Sequence, residues 1–273
     1  MEVLALQASP LLGVFLGGYR IGRDDFLPFA LLLLGSAALT AHIFIFNDWA
    51  GYEGDLRDPR RAPNVFSRYG IARHGVLLLS LALLLIAAVA LAAVGSRALL
   101  IGVAIAGFGF VYSASPVFGK SMPIAASLNH LVGGALHFLL GYTLSHALDA
   151  HGVWIAAFFG LVFAGGHLNQ EVRDYDGDLL NGIRTNAVAF GRRRTFLASL
   201  FTFTAAYAML TVLAALGLLP KLLLWSPLAW LLHLAWSLRA LRHGLGFETA
   251  LWVQRRYRAL FALIGLAILI GTF

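Results

Sequence analysis

The sequence predicts an all-α membrane protein, a bundle of nine transmembrane helices forming a single domain over residues 1–273. Three observations carry that prediction. The first is composition: 60% of the residues are hydrophobic and 12% charged, with mean hydropathy +0.81. A soluble domain carries about 25% charged residues, so this chain has too little polar surface to fold as an ordinary water-soluble protein of its length. The second is nine apolar stretches of near-spanning length. The third is the placement of the bases, which alternates with those stretches.

Crossing the hydrocarbon takes about 20 mostly apolar residues in a helix. In chain order the stretches are 3–19, 26–46, 76–94, 98–111, 124–144, 153–168, 196–216, 222–238 and 257–273. The first contains Gln7 and Pro10, both tolerated in a helix packed among others. It lacks the basic region that precedes the apolar stretch of a cleaved signal peptide. The loops after the second, fourth, sixth and eighth stretches, together with Arg258 at the start of the ninth, hold 16 of the 20 Lys and Arg; the others are Arg20, Arg23, Arg97 and Lys221. Basic loops stay in the cytoplasm, so these loops and the N-terminus are assigned there. The expectation is a multi-pass protein of a bacterial or archaeal cell membrane with its charged mouth cytoplasmic.

The same arithmetic narrows function. Cysteine is absent, which excludes disulfides, thiolate catalysis and Cys-ligated zinc. The net charge of +7 follows from basic cytoplasmic loops and needs no nucleic-acid partner; the partner is the lipid bilayer. The 13 acids are more telling. Asp48, Glu53, Asp55 and Asp58 follow the second stretch, and Glu171, Asp174, Asp176 and Asp178 follow the sixth. Carboxylates at a membrane edge are expensive and tend to mark function, although a solvated loop balancing its own Arg residues has the same composition.

Spacing separates the two cases. Glu171, Asp174 and Asp178 stand at i, i+3 and i+7, one stripe of a helix. Carboxylates sharing a stripe repel one another unless a cation lies between them. An oxygen-only set favours Mg²⁺, which takes one or two carboxylates together with substrate phosphate oxygens. Downstream, Gly182-Ile-Arg184-Thr185 supplies a turn and a cation for the same phosphate. In the first cluster, Asp48 and Asp55 lie seven apart and nearly eclipse on a continuing helix. Asn47, Gly51 and Asp55 form the adjoining row. Gly51 leaves a gap where a third carboxylate would fit.

Together the clusters resemble the two Asp-rich motifs, NDxxDxxxD and DxxxD, of UbiA-type intramembrane prenyltransferases. Asn47, Asp48 and Asp55 match the first motif. Asp174 and Asp178 match the second, with Glu171 in the acidic position that often precedes it. The stretch Tyr112-Ser-Ala-Ser-Pro116-Val-Phe-Gly-Lys120 resembles the family's Tyr-Ser/Thr-x-x-Pro…Lys segment after the fourth helix. Gly51 departs from the first motif, where the family has Asp. Either the first metal has fewer protein ligands, or Glu53 or Asp58 substitutes, or the reaction is shifted.

The resemblance implies a Mg²⁺-dependent enzyme of nine-helix UbiA type. It would move an isoprenoid chain from a prenyl diphosphate to an acceptor that the sequence does not identify: an aromatic, a quinone precursor or another lipid. It assigns Asn47, Asp48, Asp55, Glu171, Asp174 and Asp178 to metal, and Lys120, Arg184, Arg57 and Arg173 to diphosphate. Asp48, Asp55, Asp174, Asp178, Lys120 and Tyr112 form the catalytic set, with Tyr112 facing the carbocation. A terpene cyclase of the same family is the alternative, and a cation-coupled transporter a more distant one. The remaining polar residues have plainer readings. His130 and His137 share a helix face and are expected to make interhelical hydrogen bonds. His42 is a further candidate for the same cavity as Asn47, and His167 orients an acceptor or packs at a helix end. Gly107–Gly109 and Gly133–Gly134 are expected at close helix contacts.

Overall fold

The computed structural model of the chain describes residues 2–20, 22, 26–114 and 119–273. Among them are eleven α-helices and no strand. They run α1 (Glu2–Leu6), α2 (Ala8–Leu16), α3 (Phe26–Arg57), α4 (Arg73–Val94), α5 (Ser96–Ala114), α6 (Ala125–Tyr142), α7 (Ala150–Leu180), α8 (Asn186–Phe190), α9 (Arg192–Ala215), α10 (Ser226–His243) and α11 (Phe247–Thr272). Short 3-10 helices occupy Ala62–Asn64, Phe66–Tyr69 and Lys221–Trp225. Helices α3, α4, α5, α7 and α9 are long and apolar enough to cross a membrane. Arg23, counted above among the bases outside the even-numbered loops, lies outside the described residues, as do Ser115, Pro116, Val117 and Phe118 of the Tyr112–Lys120 motif.

Each predicted stretch is helical, and the deviations have local causes. The first stretch is broken into α1 and α2 at Gln7. Pro10 has no N–H to offer the Leu6 carbonyl, so the ladder restarts from Gln7, whose carbonyl takes the Leu11 N–H at 3.1 Å. The eighth stretch begins as a 3-10 turn, and α10 starts only at Ser226, with a proline in its first turn. Two helices overrun their apolar stretch. α3 has 32 residues and α7 has 31, about 48 and 46 Å at 1.5 Å per residue, against about 30 Å of hydrocarbon. The excess carries the two acidic clusters.

The chain forms two compact units. The first contains Met1–Ser121 and Leu136–Leu148, and the second Met122–Ala135 and Asp149–Phe273, so α6 gives its first half to one and its second half to the other. In the first unit the core is Val14, Leu32, Ala38, Leu39, Ala87, Leu91, Ala98, Ile105 and Leu140. Small residues bring its helices close: a Cβ on Gly35 would stand 2.8 Å from the Leu91 side chain, and one on Gly109 2.9 Å from Ile43. Polar groups in these helices find partners across helices, as backbone and side chains in lipid must. Ser36 bonds His137 at 3.0 Å, and the His42 ring meets Ser80 at 2.8 Å. A single residue, Gly95 at φ 148°, joins α4 to α5.

In the second unit α7 and α9 lie together, tied by the buried Ser199 hydroxyl donating to the Gly165 carbonyl at 2.7 Å. Phe203, Tyr207, His233, Tyr257 and Phe261 form an aromatic cluster between α9, α10 and α11. Asp149 caps α7 by accepting from the Gly152 N–H at 2.7 Å. The expected small-residue contacts are half met. Gly109 and Gly134 are tight, the latter with Phe163 2.6 Å from its virtual Cβ, whereas Gly107 and Gly133 face open space.

Candidate active site

The first acidic cluster lies on the C-terminal overrun of α3. Residues seven apart on an α-helix differ by about 20° in direction, so Asp48 and Asp55 point alike. The charges of Asp55, Arg61 and Lys120 all act on Asp48. Arg61, from the turn beyond α3, pairs with Asp55 at 3.0 Å. Asn47 presents a buried Oδ1 that has no hydrogen-bond partner among the described residues. The two proposed stand-ins for the missing carboxylate are engaged elsewhere. Glu53 is exposed beside Arg73 at 3.8 Å, while Asp58 is buried and accepts the Arg60 N–H at 2.9 Å, closing the turn that ends α3.

Lys120, six residues past the end of α5, reaches this cluster. Its backbone N–H donates to the Tyr112 carbonyl at 2.9 Å, returning the chain to the end of that helix. α5 itself is seated on α3 through Ile43 against Gly109 and the stacked rings of Phe46 and Phe110, 5.7 Å apart. The Lys120 Nζ then stands 3.3 Å from where a Cβ on Gly51 would be, and the Asp55 Oδ2 3.6 Å from the same point. Gly51 sits inside α3, where glycine costs about 1 kcal/mol relative to alanine. Its backbone has no positive φ, so chain geometry does not require it. Tyr112 is half-buried and Arg57 exposed.

The second cluster lies on the overrun of α7, and its members divide by environment. Glu171 is buried: Oε1 accepts from the Asn186 side chain at 3.1 Å and lies 3.0 Å from the His167 Nε2. The backbone of Asn186 and Ala187, at the start of α8, faces the same carboxylate. His167 in turn stacks on His130 with centroids 3.8 Å apart. One turn further, half-buried Asp174 takes two donors from Arg173, both at 2.7 Å, and the third arm of that guanidinium reaches Gln254 at 2.8 Å. Arg173, expected at the diphosphate, is thus braced between α7 and α11. Asp178 is half-buried near the end of α7, and its carbonyl accepts from Ile183 at 2.8 Å as the chain turns. Arg184 is exposed just beyond, and Asp176 pairs with Arg192.

The sequence matches the profile of the UbiA prenyltransferase family over residues 10–259. The chain belongs to this family. No protein of curated function matches it in sequence. In fold it is similar to the apo structure of a UbiA homolog from Aeropyrum pernix K1, with TM-score 0.78 and 18% identity over 99% of this chain and 98% of that one. It is also similar to a UbiA homolog from Archaeoglobus fulgidus bound to GPP and Mg²⁺, with TM-score 0.74 and 20% identity over 98% and 96%. A structure described for digeranylgeranylglyceryl phosphate synthase in membranes gives TM-score 0.71 and 19% identity over 100% and 99%.

For a UbiA family member the question is whether these side chains fit a divalent ion. Among the described residues no three His, Asp or Glu converge closely enough to cage one. The donors are nonetheless oxygen-only, and the Asn47 Oδ1 is a buried acceptor without a hydrogen-bond partner among the described residues. Mg²⁺ commonly keeps waters and relies on one or two carboxylates plus phosphate oxygens. The residues fit an ion completed by substrate.

Two site residues escaped the sequence reading. Asn186 bonds Glu171, Ser127 at 3.1 Å and the Ile124 N–H at 2.8 Å, and nothing in its spacing announces that role. Arg61 pairs with Asp55 across the turn, where it had counted only toward topology.

Proposed function

We propose that this chain transfers a prenyl group from a prenyl diphosphate to an aromatic, quinone-precursor or other lipid acceptor within the membrane, in a Mg²⁺-dependent reaction. What supports this most is one observation: in a UbiA family chain, both oxygen-only acidic clusters ride on helices extended beyond bilayer length. In the proposed topology nine segments cross the membrane as one catalytic domain, with the N-terminus and both clusters on the cytoplasmic side. The A. fulgidus homologs bound to GPP or DMAPP with Mg²⁺ support a short prenyl diphosphate as the first substrate to try.

Mg²⁺, when bound, would supply positive charge to the departing diphosphate; the oxygen donors offered to it are Asp174 and Asp178 in the second cluster and Asn47, Asp48 and Asp55 in the first. Lys120 and Arg184 bind the diphosphate oxygens and stabilise the charge that develops as the allylic C–O bond breaks. The electron pair leaves with the diphosphate. The acceptor then donates a pair to the allylic carbon and loses a proton, which closes the balance. Tyr112 presents an aromatic face to the carbocation, and the apolar helices keep water from it. Glu171, held by Asn186 and His167, positions the helix turn that carries Asp174.

The test is product analysis by mass spectrometry. Purified protein, Mg²⁺ and prenyl diphosphates of several lengths are incubated with and without a panel of acceptors. A prenylated acceptor is expected. A cyclised hydrocarbon formed without any acceptor would replace transfer with cyclisation, and no diphosphate turnover under any condition would end the enzymatic reading.

A further inference from the structure

We propose that Lys120 is the resident cation of the first acidic cluster: its ammonium occupies the space left by Gly51 and takes the place of one divalent ion. This rests on the prenyl diphosphate reading above. The family motif has an aspartate at position 51, and the row Asn47, Gly51, Asp55 is what would face a metal. Here the middle of that row has no side chain, and the space beside its Cα is bounded by the Lys120 Nζ and the Asp55 carboxylate, 3.3 and 3.6 Å from a virtual Cβ.

The ammonium is not there by free rotation of a surface lysine. The Lys120 backbone is bound to Tyr112, and α5 is keyed to α3 by Ile43 against Gly109 and by Phe46 on Phe110. Any side chain at position 51 would have to push the Nζ aside. A carboxylate there would instead pair with it, or hold a divalent ion that repels it. Glu53 and Asp58, the other acids in reach along the chain, are committed to Arg73 and to the turn after α3. Two carboxylates with a lysine and Arg61 beside them are already close to neutral. Such a set attracts a second doubly charged ion weakly, whereas three carboxylates would attract it strongly. Glycine at 51 therefore exchanges a removable divalent ion for a permanent single charge that also meets the diphosphate.

The experiment counts ions. Full-length protein in detergent is titrated with Mn²⁺ in the presence of a prenyl thiodiphosphate, which binds without ionising, and bound Mn²⁺ is read by electron paramagnetic resonance. One ion per chain is expected for wild type and for Gly51→Ala, and two for Gly51→Asp. Lys120→Gln should weaken thiodiphosphate binding at least tenfold in the wild-type background and less than threefold in Gly51→Asp, where the added ion supplies the charge. Two ions in wild type overturn the proposal and leave the prenyl diphosphate reading standing. So does an unchanged count in folded Gly51→Asp, or an equal Lys120→Gln penalty in both backgrounds. No Mn²⁺ binding at all in wild type ends both.

Discussion

Asn186 ties three parts of the second unit together, and replacing it with alanine isolates what that tie is worth. The side chain is buried, donates to Ser127 and Glu171 at 3.1 Å each, and accepts from the Ile124 N–H at 2.8 Å. The two neutral bonds contribute about 1 kcal/mol each, and the bond to a carboxylate about 1.5–3 kcal/mol. The alanine deprives the Ile124 N–H of its acceptor and the buried Glu171 carboxylate of one donor, so the three contributions are lost together, roughly 4 kcal/mol. At about 2–4 °C per kcal/mol for a chain of this size, the melting temperature should fall by about 10 °C. Tryptophan fluorescence during heating in detergent reads this directly. Asn186→Asp separates the contributions: it keeps the acceptor for Ile124 but sets a second carboxylate against Glu171, and should destabilise at least as much. Turnover should drop with either change, because Glu171 holds the turn that carries Asp174. A melting temperature for Asn186→Ala within about 2 °C of wild type would refute the network as a structural tie.

Asp174→Asn and Asp178→Asn should each lower kcat about 100-fold or more at saturating Mg²⁺, measured by diphosphate release; near-normal rates in both would make the second cluster a solvated helix end. Chelation with EDTA should abolish turnover and added Mg²⁺ should restore it, and activity that survives chelation would contradict a divalent requirement. Ile124, a β-branched residue at φ 69°, carries backbone strain of about 1–2 kcal/mol and is mostly exposed. Ile124→Gly should therefore melt at the same or a higher temperature, whereas Ile124→Ala, which keeps the strain, should not gain.

What could be read from the sequence followed from helical periodicity. Glu171, Asp174 and Asp178 at i, i+3 and i+7 predict a helix beyond residue 168, and α7 indeed continues to Leu180. Asp48 and Asp55 made the same prediction for α3. Spacing also marked glycines as contact points, but composition does not state how a helix is rotated, so Gly109 and Gly134 meet neighbours while Gly107 and Gly133 do not. The break at Gln7 was less visible because proline near a helix start is tolerated, and only the missing donor to Leu6 decides it. The associations of Lys120 with Gly51, and of Asn186 with Ser127 and Ile124, join residues about sixty to seventy positions apart. No local pattern encodes them; they exist only once helices have docked.

The one-residue connection at Gly95 has a consequence for where the lysine charge ends up. α4 and α5 are joined by one residue in a non-helical conformation, Gly95 at φ 148° and ψ 169°, so this turn fixes where the screw of α5 begins and has little slack. Inserting one residue into the first turn of α5 would rotate everything after it by about 100° and shift it by about 1.5 Å along the axis. Gly109 would leave Ile43, Phe110 would leave Phe46, and Lys120, whose backbone is bonded to Tyr112 in α5, would be drawn away from Gly51. The far end of that hairpin thus acts as an index mark for a charge at its opposite end, and lengthening it by one residue should disarm the site without touching a single acidic residue.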